Sequence, residues 1–290
     1  MKTAVDQIRK SQKCKPAAYP ATILKFVAGC CLLLLLAMPG SAPAQWYKAS
    51  AFSAGEWLKY KVKWGFIRLG TIEVFQEEIA DANPPAFRVM MRAKSAKLQI
   101  ISVFFVNEGI VNPRQPTLQQ FTITVGKDAR DVTTYTFDPS TGNVLMKKTV
   151  EDQLVFEDSL TYRENLYDAI GTFMMIRCLS ASGFNITLNN IIDFKICQTH
   201  LNFSGAADTI KVAAFDELQK GWEFSGRADW VGKAYGGVSG PFRGWISQDA
   251  AAIPLKVKVK IFLGSITIEL EDFCRDSGMV PAKRIISNSK

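Results

Sequence analysis

Carboxylates, one histidine and the three of its six cysteines that lie beyond residue 44 are the residues from which any chemistry in this chain would have to be built. Acid–base chemistry of the glycosidase kind needs two carboxyls flanking a scissile bond. Glu56, Asp168 and Asp249 are candidates, but they lie far apart in sequence. A Ser–His–Asp relay needs a histidine base, and His200 is the only histidine. No Gly-x-Ser-x-Gly elbow accompanies it, since Gly237-Val238-Ser239-Gly240 has the wrong spacing. No His-Glu-x-x-His, phosphate loop or dinucleotide fingerprint is present either. A lone histidine at a strand end is more often structural than catalytic. The residues therefore predict no catalytic site and no cofactor. A hydrolase built on the scattered carboxylates is kept as an alternative. Cys178, Cys197 and Cys274 form no Cys-x-x-Cys, which disfavours a metal centre. In an oxidising compartment two of them are expected to pair, and spacing does not choose which two.

The N-terminus argues for such a compartment. Six basic residues from Lys2 to Lys25 precede an apolar run from Phe26 to Met38 that includes Leu32 to Leu36. Pro39-Gly40 breaks the run, and Ala42-Pro43-Ala44 offers small residues at the positions a signal peptidase reads. That order predicts a cleaved secretory signal peptide over 1–44, cut after Ala44. The run is short of the roughly 20 residues needed to span a bilayer as an anchor. Val27-Ala28-Gly29-Cys30 has lipobox residue types, but it opens the apolar stretch where a lipobox should close it. The expected address is the periplasm.

Removing the leader changes the charge. The whole chain has 35 basic and 27 acidic residues, net +8. The leader holds six basic residues and one acidic, so 29 and 26 follow it, net +3. The high pI belongs mostly to the targeting segment and gives no case for nucleic acid as a partner. Residues 45–290 are read as one β-rich domain.

Period-2 alternation dominates that domain. Leu58, Tyr60, Val62 and Trp64 share one face of a strand, with Lys59, Lys61 and Lys63 on the other. Gly65 permits a turn into a partner strand, Ile67 to Gln76. Ala86–Ala93, Phe121–Val125, Val132–Phe137 and Val144–Val150 read as further strands, and the turn-rich Asp138 to Asn143 closes a hairpin. Lys97 to Val111 suits strand or helix. Near the C-terminus, Leu255 to Ile261 and Ile266 to Leu270 alternate about Gly264-Ser265, which suits a two-residue turn. Folding there sets Lys260 against Glu269, Lys258 against Glu271, Ile261 against Ile268 and Val259 against Leu270. Gly221 to Gly244 reads as a rim loop or long turn. Leu166 to Leu179 is apolar nearly all round and predicts one buried helix, with Asn165 placed to cap it. The fold class is mainly β: a strongly curved antiparallel sheet or open barrel with the helix across its mouth.

Several segments, taken in order, resemble one family. They are Phe52 to Tyr60, including Gly55, Glu56 and Tyr60; Val62-Lys63-Trp64-Gly65 and Leu69-Gly70; Tyr167-Asp168 ahead of Arg177; Trp245 to Asp249; Ile253-Pro254-Leu255; and Leu263-Gly264. This set is similar to the DUF3108 family of exported bacterial proteins and covers nearly the whole mature chain. The resemblance implies export and a single β-rich domain, and brings no activity with it. Asp168 and Arg177 lie about 13 Å apart along a helix and so do not pair with each other. Each complements the dipole at its own helix end, and both are read as structural anchors.

A curved sheet cannot cover its concave face alone. Either side chains fill it, or a helix covers it and an apolar ligand competes for the space. Met174 and Met175 suit the second case, because flexible thioethers repack around different contents. Trp64, Phe173 and Trp245 are the aromatic candidates for lining such a pocket. The expected role is binding or carrying an apolar or lipid-like envelope component. The alternative is a scaffold that binds another envelope protein.

Overall fold

The computed structural model describes residues 47–96, 104–126, 128–181, 183–230, 239–261 and 264–275; the predicted leader lies outside them. Fifteen strands form one open sheet. In chain order these are β1 (Trp57–Trp64), β2 (Ile67–Ile79), β3 (Ala86–Ser95), β4 (Phe104–Asn112), β5 (Gln115–Val125), β6 (Asp131–Asp138), β7 (Asn143–Val150) and β8 (Gln153–Thr161). A two-residue β9 (Leu166–Tyr167) leads into the helix α1 (Ala169–Cys178). Then follow β10 (Asn185–Ile192), β11 (Lys195–Ile210), β12 (Gln219–Ala228), β13 (Gly240–Ser247), β14 (Pro254–Ile261) and β15 (Gly264–Cys274). Neighbours in sequence are neighbours in the sheet, except that β1 pairs with β15, which joins the two halves, and that β8 and β9 form its two edges. The pairings are antiparallel apart from the short β9–β10 contact.

Alternation fixes which face is buried. Leu58 and Tyr60 turn inward on β1, while the lysines between them face glutamates of β15. Lys61 and Lys63 reach Glu269 at 3.2 and 3.0 Å, and Lys256 reaches it from the other flank at 2.9 Å. Burial pushes the Glu269 carboxyl up, but hydrogen bonds from Lys256 and Lys63 outweigh this and hold it at about 2. The predicted lysine row is therefore a complemented one.

The C-terminal hairpin differs from expectation in register. Lys256 faces Glu269, Val257 faces Ile268, and the last pair is Ile261 with Gly264. The connection falls at residues 262 and 263, outside the described residues, and not at Gly264-Ser265. Both charge and apolar rows have a period of two, so a shift that preserves parity satisfies them equally. In the observed register Glu269 is flanked by Lys256 of β14 and by Lys61 and Lys63 of β1.

Four further expectations are corrected. The helix is shorter than Leu166 to Leu179, because Leu166-Tyr167 pairs with Asn189-Asn190 of β10. Asp168 caps it in place of Asn165, its Oδ1 accepting from the Gly171 N–H at 2.6 Å. Gly221 to Gly244 is largely β12 and β13, with 231–238 outside the described residues. Cys178, Cys197 and Cys274 are all free thiols. They sit on α1, β11 and the end of β15, and no two of these segments pair in the sheet.

The sheet curls until its edges approach. The β10–β11 turn carries Asp193 and Phe194 at φ +47° and +63°, a two-residue hairpin geometry that usually wants Asn-Gly. The Phe194 ring explains why a phenylalanine is held there. It packs on Phe156 of β8 and Tyr135 of β6, with ring centroids 4.4 and 5.7 Å away, so aromatic contact bridges the seam that hydrogen bonds leave open.

Candidate functional site

Helix α1 crosses the concave face and is fixed at both ends. At its C-terminal end Arg177 is fully buried. Its Nη1 and Nη2 donate to Glu56 Oε1 and Oε2 at 2.6 and 2.9 Å. Its Nε and Nη2 also donate to the carbonyls of Ala252 and Ala251 at 3.1 and 2.9 Å. Glu56, equally buried, takes further bonds from the Gln76 amide and from Arg275, whose Nε lies at 3.4 Å. A buried charge pair is tolerable only when its remaining donors and acceptors are satisfied, and this one is nearly saturated. Gly55 supports it through a left-handed φ of +77° that turns the chain into β1.

Asp249 supports the pair from the other side. Its Oδ1 accepts from Ser247 Oγ at 2.7 Å and from the backbone N–H groups of Ala251 and Ala252 at 3.1 and 3.2 Å. This fixes the β13–β14 turn so that both alanine carbonyls meet Arg177, just before Pro254 opens β14. Tyr60 lies close enough to feel both charges. Burial raises its hydroxyl pKa, Arg177 lowers it and Glu56 raises it.

At the N-terminal end of α1, the fully buried Asp168 spends one oxygen on the cap. Burial pushes its carboxyl up to about 7, against the pull of the Gly171 and Ile170 N–H groups. The helix is held close to the sheet here, because a Cβ on Gly171 would collide with the Pro116 carbonyl. A polar chain runs beside it. The Trp230 indole N–H donates to Thr199 Oγ1 at 2.9 Å, and Thr199 donates to Asn190 Oδ1 at 2.7 Å. Asn190 Nδ2 then donates to Thr172 Oγ1 at 2.5 Å, and Thr172 donates to the Asp168 carbonyl at 2.9 Å.

Between α1 and the sheet lies a cavity of about 510 Å³. Its walls are apolar: Phe173 and Ile176 from the helix, Phe105, Phe224 and Phe242 from facing strands, and Val259 and Ile268 from the C-terminal hairpin. Thr172, Thr199 and Trp230 also border it, but their side chains are tied into the polar chain through Asn190, which leaves an oily interior. The volume lies within the roughly 300–1,000 Å³ of small-molecule pockets.

The family described as "Protein of unknown function (DUF3108)" matches residues 59–271. The chain belongs to this family. The DUF3108 fold has a solved counterpart in the crystal structure of a β-barrel-like protein of another domain of unknown function, DUF1849, from Brucella abortus. The two share 9% identity at a TM-score of 0.51, over 78% of this chain and 99% of that one. At that identity the likeness concerns the fold. No curated protein matches the chain.

The residues that carried the resemblance lie in several places. Gly55, Glu56, Tyr60, Arg177, Asp249 and Pro254 gather at the anchor, whereas Asp168 caps the opposite end of α1. Gly70 borders the cavity on β2, opposite Ser95, where a Cβ would strike the Lys94 carbonyl. Gly264 opens β15 at φ +94°. Of the five residues expected to line a pocket, Phe173 does so. Met174 and Met175 point into two core clusters. Trp245 lies on the outer face beneath Arg243, its indole N–H bonded to Asp208. Trp64 stands at the end of β1, 38% exposed, one inward position beyond the cavity residue Val62. Most of the cavity wall comes from strand residues whose contribution depends on pairing across the sheet, such as Phe105, Phe224 and Phe242. Alternation alone marks these as inward. His200 is half-exposed on β11, between Thr187 at 3.0 Å and Asp229 at 3.4 Å, and is not among the residues that line the cavity, although its neighbour Thr199 is.

Proposed function

We propose that this DUF3108 protein is a non-catalytic carrier or binding protein for an apolar or amphipathic molecule, a lipid or acylated chain, and that it works in the periplasm after removal of residues 1–44. The observation that carries this reading is the cavity under α1. Its size and oily wall favour an apolar occupant, since each buried methylene contributes about 0.8 kcal/mol. The carboxylates that a hydrolase would need are otherwise engaged. Glu56 neutralises Arg177, Asp168 caps a helix and Asp249 shapes a turn.

Native mass spectrometry of protein purified from its own compartment tests the reading, together with displacement of a fluorescent fatty acid. Ala93→Phe and Ala228→Phe place rings in the cavity and should weaken binding at least about tenfold, the equivalent of 1.4 kcal/mol, with the melting temperature held. Equal affinity in wild type and both variants rejects the carrier. N-terminal sequencing should begin at Gln45, and a chain retaining Leu32 to Leu36 rejects the cleaved leader. A second reading, a scaffold for another envelope protein, is favoured by β8. That strand is an open sheet edge with Leu154 and Val155 more than half exposed.

A further inference from the structure

Exposed apolar side chains on this protein are not spread evenly. Tracing strand directions through the sheet puts the end of β1, the end of β5 and the start of β8 at one end of the barrel. Trp64, Phe66, Ile67, Val125, Leu154, Val155 and Ile196 are exposed there, whereas Leu145, Leu218 and Phe273 are exposed at the opposite end. The apex is the β1–β2 turn. Gly65 takes φ +58°, and Phe66 is 94% exposed, against 38% and 45% for its neighbours Trp64 and Ile67. The cavity borders the same end. Its lining includes Leu69 at the start of β2, Ser95 at the end of β3, Gly240 at the start of β13 and Ile266 at the start of β15. Lys94 and Lys260, each the last residue but one of its strand, are exposed at this end and form no ion pair among the described residues. Lys63 and Arg68 bracket the tip and are engaged by Glu269 and Glu271. The turn acids Glu151 and Asp152 belong to β7–β8 and not to the strands beside the tip.

We infer that this end docks on an anionic phospholipid bilayer, with Phe66 and Trp64 entering the interfacial zone and Lys94 and Lys260 facing the headgroups. A fully solvated phenylalanine between tryptophan and isoleucine gains by entering the acyl boundary, and tryptophan favours the headgroup level. Lysines at the same height add attraction to anionic lipid that weakens with salt. Docked this way, the part of the cavity lined by Leu69, Ser95, Gly240 and Ile266 lies nearest the membrane, which shortens the path of an apolar ligand between bilayer and cavity. The inference rests on the carrier reading for its purpose, though not for its geometry.

Flotation of the mature chain with vesicles tests it, using phosphatidylglycerol-containing and purely phosphatidylcholine vesicles at low and high salt. Wild type should float with the anionic vesicles and detach as salt rises. Phe66→Asp should reduce flotation at least about tenfold, whereas Leu218→Asp, at the far end, should float as wild type does. Melting curves confirm that both variants fold. Absence of flotation by wild type, equal loss in both variants, or self-association through Phe66 without flotation overturns the inference. Fatty-acid binding measured without vesicles separates the two proposals. Phe66→Asp should retain it, and Ala93→Phe should lose it while still floating. Intact ligand binding without flotation removes the docking surface alone, and flotation without ligand binding removes the carrier alone.

Discussion

Replacing Glu56 by glutamine keeps the shape of the anchor and removes its negative charge. Arg177 then stays fully buried with two backbone carbonyls and an amide in place of a carboxylate. Arg275 also loses a partner, but its side chain is 29% exposed and turns to water. The cost falls on Arg177, and breaking a buried pair from one side typically costs about 3–5 kcal/mol. A domain of this size shifts by about 2–4 °C per kcal/mol, so the melting temperature should drop by roughly 6–20 °C. Urea unfolding should place the loss in the midpoint with an unchanged slope. The double variant Glu56→Leu/Arg177→Met removes both charges and should recover most of the loss. A single-variant cost below about 1 kcal/mol, or a double variant as unstable as the sum of the singles, would refute the view that this pair pins α1.

Three more outcomes follow. Because the folded Asp168 holds its proton up to about 7 against an ordinary 3.8, its contribution is fullest in acid and declines as pH rises between those values. Asp168→Asn keeps a capping side chain and should flatten stability against pH in that window, and an unaltered profile would show that another group titrates there. Asn107 is wholly buried on β4 with neither side-chain polar atom bonded. Asn107→Leu should therefore raise stability by about 1–3 kcal/mol, and a loss measured by urea denaturation would reveal a water or ligand on that amide. In nuclear magnetic resonance spectra, cross-strand contacts should link Val257 with Ile268, and contacts linking Val259 with Leu270 would restore the register expected from the turn residues.

The sheet was legible wherever alternation ran long. Trp57 to Trp64 was readable to the residue, and Ala86 to Ala93 and Val144 to Val150 within a few residues. Register was not, because the alternating Lys and Glu rows of β14 and β15 satisfy any shift of even parity. Helix α1 was visible from its apolar stretch, but not its start, since Leu166-Tyr167 is equally apolar and its pairing with β10 is a tertiary fact. The β10–β11 turn gave no signal because Asp193-Phe194 lacks turn chemistry and is held by its ring contacts. The anchor residues stood out through the family resemblance, yet nothing local says that Glu56 and Arg177 meet. Trp245 and the two methionines had the right chemistry for a pocket wall, but the pleat and the helical phase turn them elsewhere.

The pairing of β1 with β15 also has a kinetic side. Arg68 and Glu271, which clasp each other, are separated by 203 residues. A chain emerging N-terminus first can zip β1 to β8 as successive hairpins, each closing a short loop at little entropic cost. The second flank of β1 stays unpaired until the last strand arrives. Folding is thus committed only once β15 is available, and a chain truncated before β15 is left with a bare edge in mid-sheet. Such dependence on distant contacts slows the final step relative to a helical protein of equal length. It also keeps the chain threadable until its C-terminus is free.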